Sequence, residues 1–96
     1  MKFKNIIGGS EKDAYNKFPW LRKAKIIDAT IDITEDYLIW EDGVWKGGVW
    51  EDGVWKGGVW KGGVWEGGFM WSNLRQEYIQ TIQKKGKFIK KKAGKL

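Results

Sequence analysis

Any chemistry in this 96-residue chain falls to carboxylates and lysines, because it contains neither histidine nor cysteine. Imidazole acid–base catalysis, thiol nucleophiles, disulfides and zinc-finger ligand sets are thereby excluded. Paired carboxylates could cleave a glycosidic bond, and Glu41, Asp42, Glu51, Asp52 and Glu66 do come close together in sequence. They recur at regular spacing, however, as solvated positions of a repeat do, and Asp42-Gly43 and Asp52-Gly53 read as turns. The Gly-Gly pairs lack the Lys-Ser/Thr and the strand–loop–helix setting of a phosphate loop. The expectation is a protein that is not an enzyme and uses no metal or cofactor.

Two residue sets remain that could bind. Eight tryptophans are present, and Trp40, Trp45, Trp50, Trp55, Trp60 and Trp65 stand five residues apart. Exposed, such a ladder would stack nucleic-acid bases at roughly 1–3 kcal/mol each, or sugars; buried, it is the core. Its strict spacing and the shortage of other large apolar residues favour the core. Trp20 and Trp71 fall outside the register and, with Arg75, are the candidates to meet a partner. The second set is Lys84, Lys85, Lys87, Lys90, Lys91 and Lys92, interleaved with Phe88 and Ile89, which would contact phosphates without regard to sequence.

The element that must position these residues is a five-residue phrase written six times from Ile39 to Gly68: IWEDG, VWKGG, VWEDG, VWKGG, VWKGG, VWEGG. From Gly43 on, a small residue stands two before each large apolar one, and this rule already holds at Ala24/Ile26 and Ala29/Ile31. Ile31 and Trp40 are nine apart, one short of two units, so a tight turn is expected in Thr34–Tyr37. Upstream, Ser10 caps an expected helix carrying Glu11 and Asp13 in its first turn and ending before Pro19. Downstream of Ser72 the text reads either as a helix with Leu74, Tyr78 and Ile82 on one face, or as strands Phe69–Ser72 and Glu77–Gln83 around a turn. The chain is thus one domain, with an N-terminal cap over 1–18, repeats over 19–71, a C-terminal cap over 72–83 and a basic tail, expected to be mobile, over 84–96.

Charge is unevenly placed on a net +6. Residues 1–23 carry six basic and two acidic side chains, residues 24–71 four and nine, and residues 72–96 eight and one. No apolar run approaches the roughly 18 residues of a membrane span, and the N-terminus lacks the apolar core of a signal peptide, so a cytoplasmic protein without a membrane partner is expected.

The small–x–large pattern resembles the pentapeptide-repeat proteins, whose A(D/N)LXX unit forms one side of a square right-handed β-solenoid. The resemblance implies inward central residues at Leu21, Ile26, Ile31, Trp40, Trp45, Trp50, Trp55, Trp60, Trp65 and Met70. It also implies inward small residues at Ala24, Ala29, Gly43, Gly48, Gly53, Gly58, Gly63 and Gly68. An all-β chain of about two and a half four-sided coils follows. Stacking at twenty residues would pair Glu41 with Lys61 and Lys46 with Glu66, whereas stacking at ten would oppose Glu41 to Glu51. The alternative is a single-layer β-meander with Gly-Gly and Asp-Gly hairpin turns; the Trp-x-x-Gly element is also similar to MORN repeats.

Trp-x-x-Gly units resemble those of small proteins from bacteriophages and bacterial mobile elements. That likeness implies a non-enzymatic, phage-encoded inhibitor that acts in the bacterial cytoplasm and docks on a host nucleic-acid-processing complex, a protein or ribonucleoprotein, as anti-CRISPR and other anti-defence proteins do. The alternatives are direct nucleic-acid binding through the basic ends and carbohydrate or cell-wall binding through exposed tryptophans. Open β edges also admit pairing between copies, which makes a homodimer a further expected association.

Overall fold

The computed structural model describes the backbone over residues 1–84 and 87–90 and the side chains over residues 1–83. Phe3, buried with its ring 6.1 Å from that of Tyr15, anchors a strand β1 (Phe3–Ile7) within what the sequence marked only as an N-terminal cap. Helix α1 (Glu11–Lys17) starts where expected. Asp13 N donates to Ser10 Oγ at 3.1 Å and Ser10 N donates back to Asp13 Oδ2 at 2.8 Å, a reciprocal capping box. The Ser10 backbone and hydroxyl donors hold the Asp13 carboxyl below its ordinary pKa. Pro19 ends the helix and begins a 3-10 turn (Pro19–Lys23) that buries Leu21.

Strand β2 (Lys25–Ile33) is continuous rather than two sides of a coil. It runs parallel to β1 and antiparallel to β3 (Leu38–Gly47), placing Ile26 beside Trp45 and Ile31 beside Trp40. This corrects the expectation that coiling begins at residue 19. The hairpin between β2 and β3 turns where the spacing faltered: Thr34 Oγ1 donates to Tyr37 O at 2.7 Å and Tyr37 N donates to Thr34 Oγ1 at 3.0 Å. Once the chain doubles back, β2 lies on the upper edge of β3, and Ala24 and Ala29 still occupy small positions, packed on Gly48 and Gly43.

Beyond β3 come four two-residue strands: β4 (Val49–Trp50), β5 (Val54–Trp55), β6 (Val59–Trp60) and β7 (Val64–Trp65). None pairs with its sequence neighbour. Trp40 lies beside Trp55, Trp45 beside Trp60, Trp50 beside Trp65 and Trp55 beside Met70, all in parallel register. The repeat therefore registers at fifteen residues, three units. The four-sided stack of twenty does not form, and neither do the antiparallel Gly-Gly hairpins of a meander.

Ring geometry explains the number three. Trp40, Trp45 and Trp50 meet edge to face at centroid separations of 5.8, 5.7 and 6.3 Å, closing a triangle. Each ring then lies nearly parallel over the one fifteen residues on, at 4.8, 5.5 and 5.2 Å, close to the 4.7–4.9 Å spacing between strands. Each such aromatic pair adds about 0.5–1.5 kcal/mol beyond burial, whereas an exposed ion pair is worth about 0–1 kcal/mol. The ladder therefore overrides the charge matching that favoured twenty. At fifteen, Glu41 meets Lys56 at 3.1 Å, while Lys46 stacks with Lys61 and Glu51 with Glu66, all four exposed.

Most of the expected inward positions are core. Leu21, Ile26, Ile31, Trp40, Trp45, Trp50, Trp55 and Trp65 are buried, and Trp60 and Met70 are partly buried against them. The indole of Trp50 donates to Gly67 O at 3.1 Å and that of Trp65 to Thr81 O at 2.9 Å. The Nε1 atoms of Trp40 and Trp45 are buried without a hydrogen-bond partner among the described residues.

The C-terminal cap takes the hairpin form. Strand β8 (Phe69–Ser72) pairs antiparallel with β9 (Glu77–Lys84), Met70 beside Ile79 and Trp71 beside Tyr78. Gln83 Oε1 accepts from Trp65 N at 3.0 Å, tying β9 to the lower edge of the repeat. A further strand, β10 (Lys87–Lys90), pairs antiparallel with β9 where only a tail was expected. The main sheet runs β1-β2-β3-β5-β8-β9-β10 with β6 also on β3, and β4-β7 form a second sheet.

Candidate functional site

With tryptophan pointing inward at each Val-Trp strand, strand alternation turns the preceding residue outward. On one face this aligns Ile39, Val54 and Phe69 in successive parallel pairs of β3, β5 and β8. They floor a groove of about 440 Å³. Tyr37, set by the Thr34 turn, stands at one end, and Tyr78, on β9, at the other. The Tyr78 ring is fixed edge to face on Trp71 at 4.9 Å.

The groove's flanks are polar and already engaged. On one side Asp52 Oδ1 accepts from Gly53 N at 2.9 Å, closing the corner turn. On the other, Lys56 Nζ lies 3.1 Å from Glu41 Oε1, and this hydrogen bond, with the attraction of the carboxylate, raises the lysine pKa. Lys56 is thus a charged ammonium at neutral pH, suited to hold an acceptor and not to act as a base. Among the described residues no group of acidic side chains is arranged to hold a metal ion. The arrangement is an apolar floor between two amphipathic rings, with one cation and one anion at the rim, the make-up of a recognition groove.

The described partner candidates named from sequence, Trp20, Trp71 and Arg75, do not converge on one site. Trp20 is half-buried at the opposite end of the repeat, its ring 5.2 Å from Trp50 and 6.2 Å from Trp45, so it covers the top of the tryptophan stack. Trp71 is half-buried behind Tyr78, and its Nε1 donates to Asn73 Oδ1 at 2.8 Å. Arg75 is exposed in the turn before β9, 3.8 Å from Glu77. The side chains of Lys84, Lys85, Lys87, Lys90, Lys91 and Lys92 lie outside the described residues. Among the described candidates only Trp71 touches the groove, and it does so through Tyr78.

Sequence reasoning passed over Ile39, Val54 and Phe69, because the residue before each inward side chain looked like a spacer, and it placed Tyr37 in a turn and Tyr78 in the C-terminal cap. Writing the repeat in lines of fifteen would have placed Ile39, Val54 and Phe69 in one column. No family model, curated protein or solved structure matches the chain.

Proposed function

We propose that this chain is a non-enzymatic protein-binding module, a pentapeptide-repeat-like β-solenoid of three-sided coils that receives its partner in the Tyr37–Tyr78 groove. In its sharpest form it is a phage-encoded inhibitor that docks on a host nucleic-acid-processing complex in the bacterial cytoplasm, of the anti-CRISPR or another anti-defence type. The observation that carries the reading is the groove itself: the ladder is spent on the core, and the outward column it leaves is apolar and framed by tyrosines. Tyrosine is among the residues enriched at protein interfaces, where it supplies large contact area at low entropic cost. Sugar stacking loses its support, since the ladder rings it would need are buried or packed against the core.

The test is capture from a bacterial lysate on three baits: the natural chain, Tyr37→Ala/Val54→Asp, and a chain ending at Gln83. Tyr37 is exposed and Val54 half-buried outside the tryptophan core, so the double variant is expected to keep its fold, which circular dichroism checks. The groove reading predicts a protein complex that survives nuclease, persists on the shortened chain and falls at least tenfold on the double variant. A complex lost to nuclease, or indifferent to the groove substitutions, would replace this reading with direct nucleic-acid binding or with another face.

A further inference from the structure

The fifteen-residue register sorts charge as well as rings. Lys61 N donates to Trp45 O and Glu66 N donates to Trp50 O, both at 2.8 Å, so each corner of the upper layer sits directly over its counterpart below. The face made by β4 and β7 is consequently bordered on one edge by Lys46 and Lys61 and on the other by Glu51 and Glu66. Between these edges Val49 and Val64 point outward, and Val64 is 50% exposed. Stacking like charges is mildly unfavourable within the chain. It also creates two rails of opposite sign with matching rise, because the β3–β6 pair that carries the lysines and the β4–β7 pair that carries the glutamates share the fifteen-residue register.

From this matching we infer that the β4–β7 face binds a second copy of the chain about a two-fold axis lying in the face and parallel to the stacking direction. A face-to-face two-fold can lie along the stack or along the strands. Along the stack it exchanges left and right edges and keeps the layers, so Lys46 meets Glu51 of the other copy, Lys61 meets its Glu66, and like valines meet at the axis. Along the strands it sets lysine against lysine and glutamate against glutamate. The charge pattern therefore selects one isologous arrangement, and the equal spacing of the rails makes this chain the partner that fits. Two short strands cover far less than the roughly 800 Å² per partner of a stable complex. The dimer accordingly forms at high protein concentration and dissociates in salt.

Cysteine cross-linking tests the arrangement, since the natural chain has no cysteine. Val64→Cys should oxidise to a covalent dimer several-fold faster than Val59→Cys, which is equally exposed but lies on the neighbouring face. In the Val64→Cys background, Lys46→Glu/Lys61→Glu and Glu51→Lys/Glu66→Lys should each lose the cross-link, and an equimolar mixture of the two should regain it as a heterodimer. Equal rates for the two cysteines, or no recovery in the mixture of folded variants, would overturn the inference. Lysate capture through the groove is independent of either result.

Discussion

Gly58→Ala should cost about 3 kcal/mol or more, a large fraction of the 5–15 kcal/mol that holds a small domain together. Gly58 has a φ of 107°, which side-chain-bearing residues adopt only under strain. A methyl there would also overlap Gly43 O and stand 3.1 Å from Trp40 Nε1. The first of these is backbone of the layer above, so relief requires the layers to separate, and separation unstacks Trp40 from Trp55. Gly62 provides the control: its nearest neighbour would be Lys46 O at 3.4 Å, an ordinary contact, and its φ is not positive. Gly62→Ala should therefore change stability by less than about 1 kcal/mol. Urea denaturation of both variants beside the natural chain reads the difference.

Trp50→Ala should be at least as damaging, about 3–5 kcal/mol from lost burial and the cavity together. Trp50 is fully buried and has ring contacts with Trp20, Trp40, Trp45, Trp55 and Trp65 at 5.2–6.3 Å. Its loss also strips Gly67 O of the indole donor. A gentler pair isolates that hydrogen bond. Trp50→Phe removes a satisfied donor, whereas Trp40→Phe removes one that is buried without a partner, a condition that costs about 1–3 kcal/mol in the natural chain. Trp40→Phe is therefore expected to be the milder of the two by about 1 kcal/mol or more in the same unfolding experiment. Equal losses would mean that the Trp40 donor is satisfied in solution.

Much of the architecture was legible because it depends on local size and pattern. Tryptophan at the large position and glycine at the small one mark the inward side whatever the register, and Ser10 with Asp13 marks a helix start. The missing residue between Ile31 and Trp40 marks the Thr34 turn. The register was not legible in the same way, since it depends on how three indoles meet edge to face across the interior. The only long-range signal used was charge at exposed corners, where a pair is worth too little to set the register. Strand β2 escaped for a related reason: Ala24/Ile26 and Ala29/Ile31 satisfy the repeat rule, yet a small residue two before a large one also suits a strand packed on glycines. The groove followed the register, because Ile39, Val54 and Phe69 become neighbours only when the chain is folded at fifteen.

The central claim is that register, and paired cysteines on one chain test it most directly. Val44 and Val59 are outward partners on adjacent parallel strands, at a spacing of about 4.8 Å that lies within the 4.4–6.8 Å Cα separation of disulfides. At low protein concentration Val44→Cys/Val59→Cys should form an intramolecular cross-link, and Val44→Cys/Val64→Cys, twenty residues apart and on different faces, should not. Cross-linking of the 44/64 pair in place of the 44/59 pair would contradict the account and restore a four-sided coil.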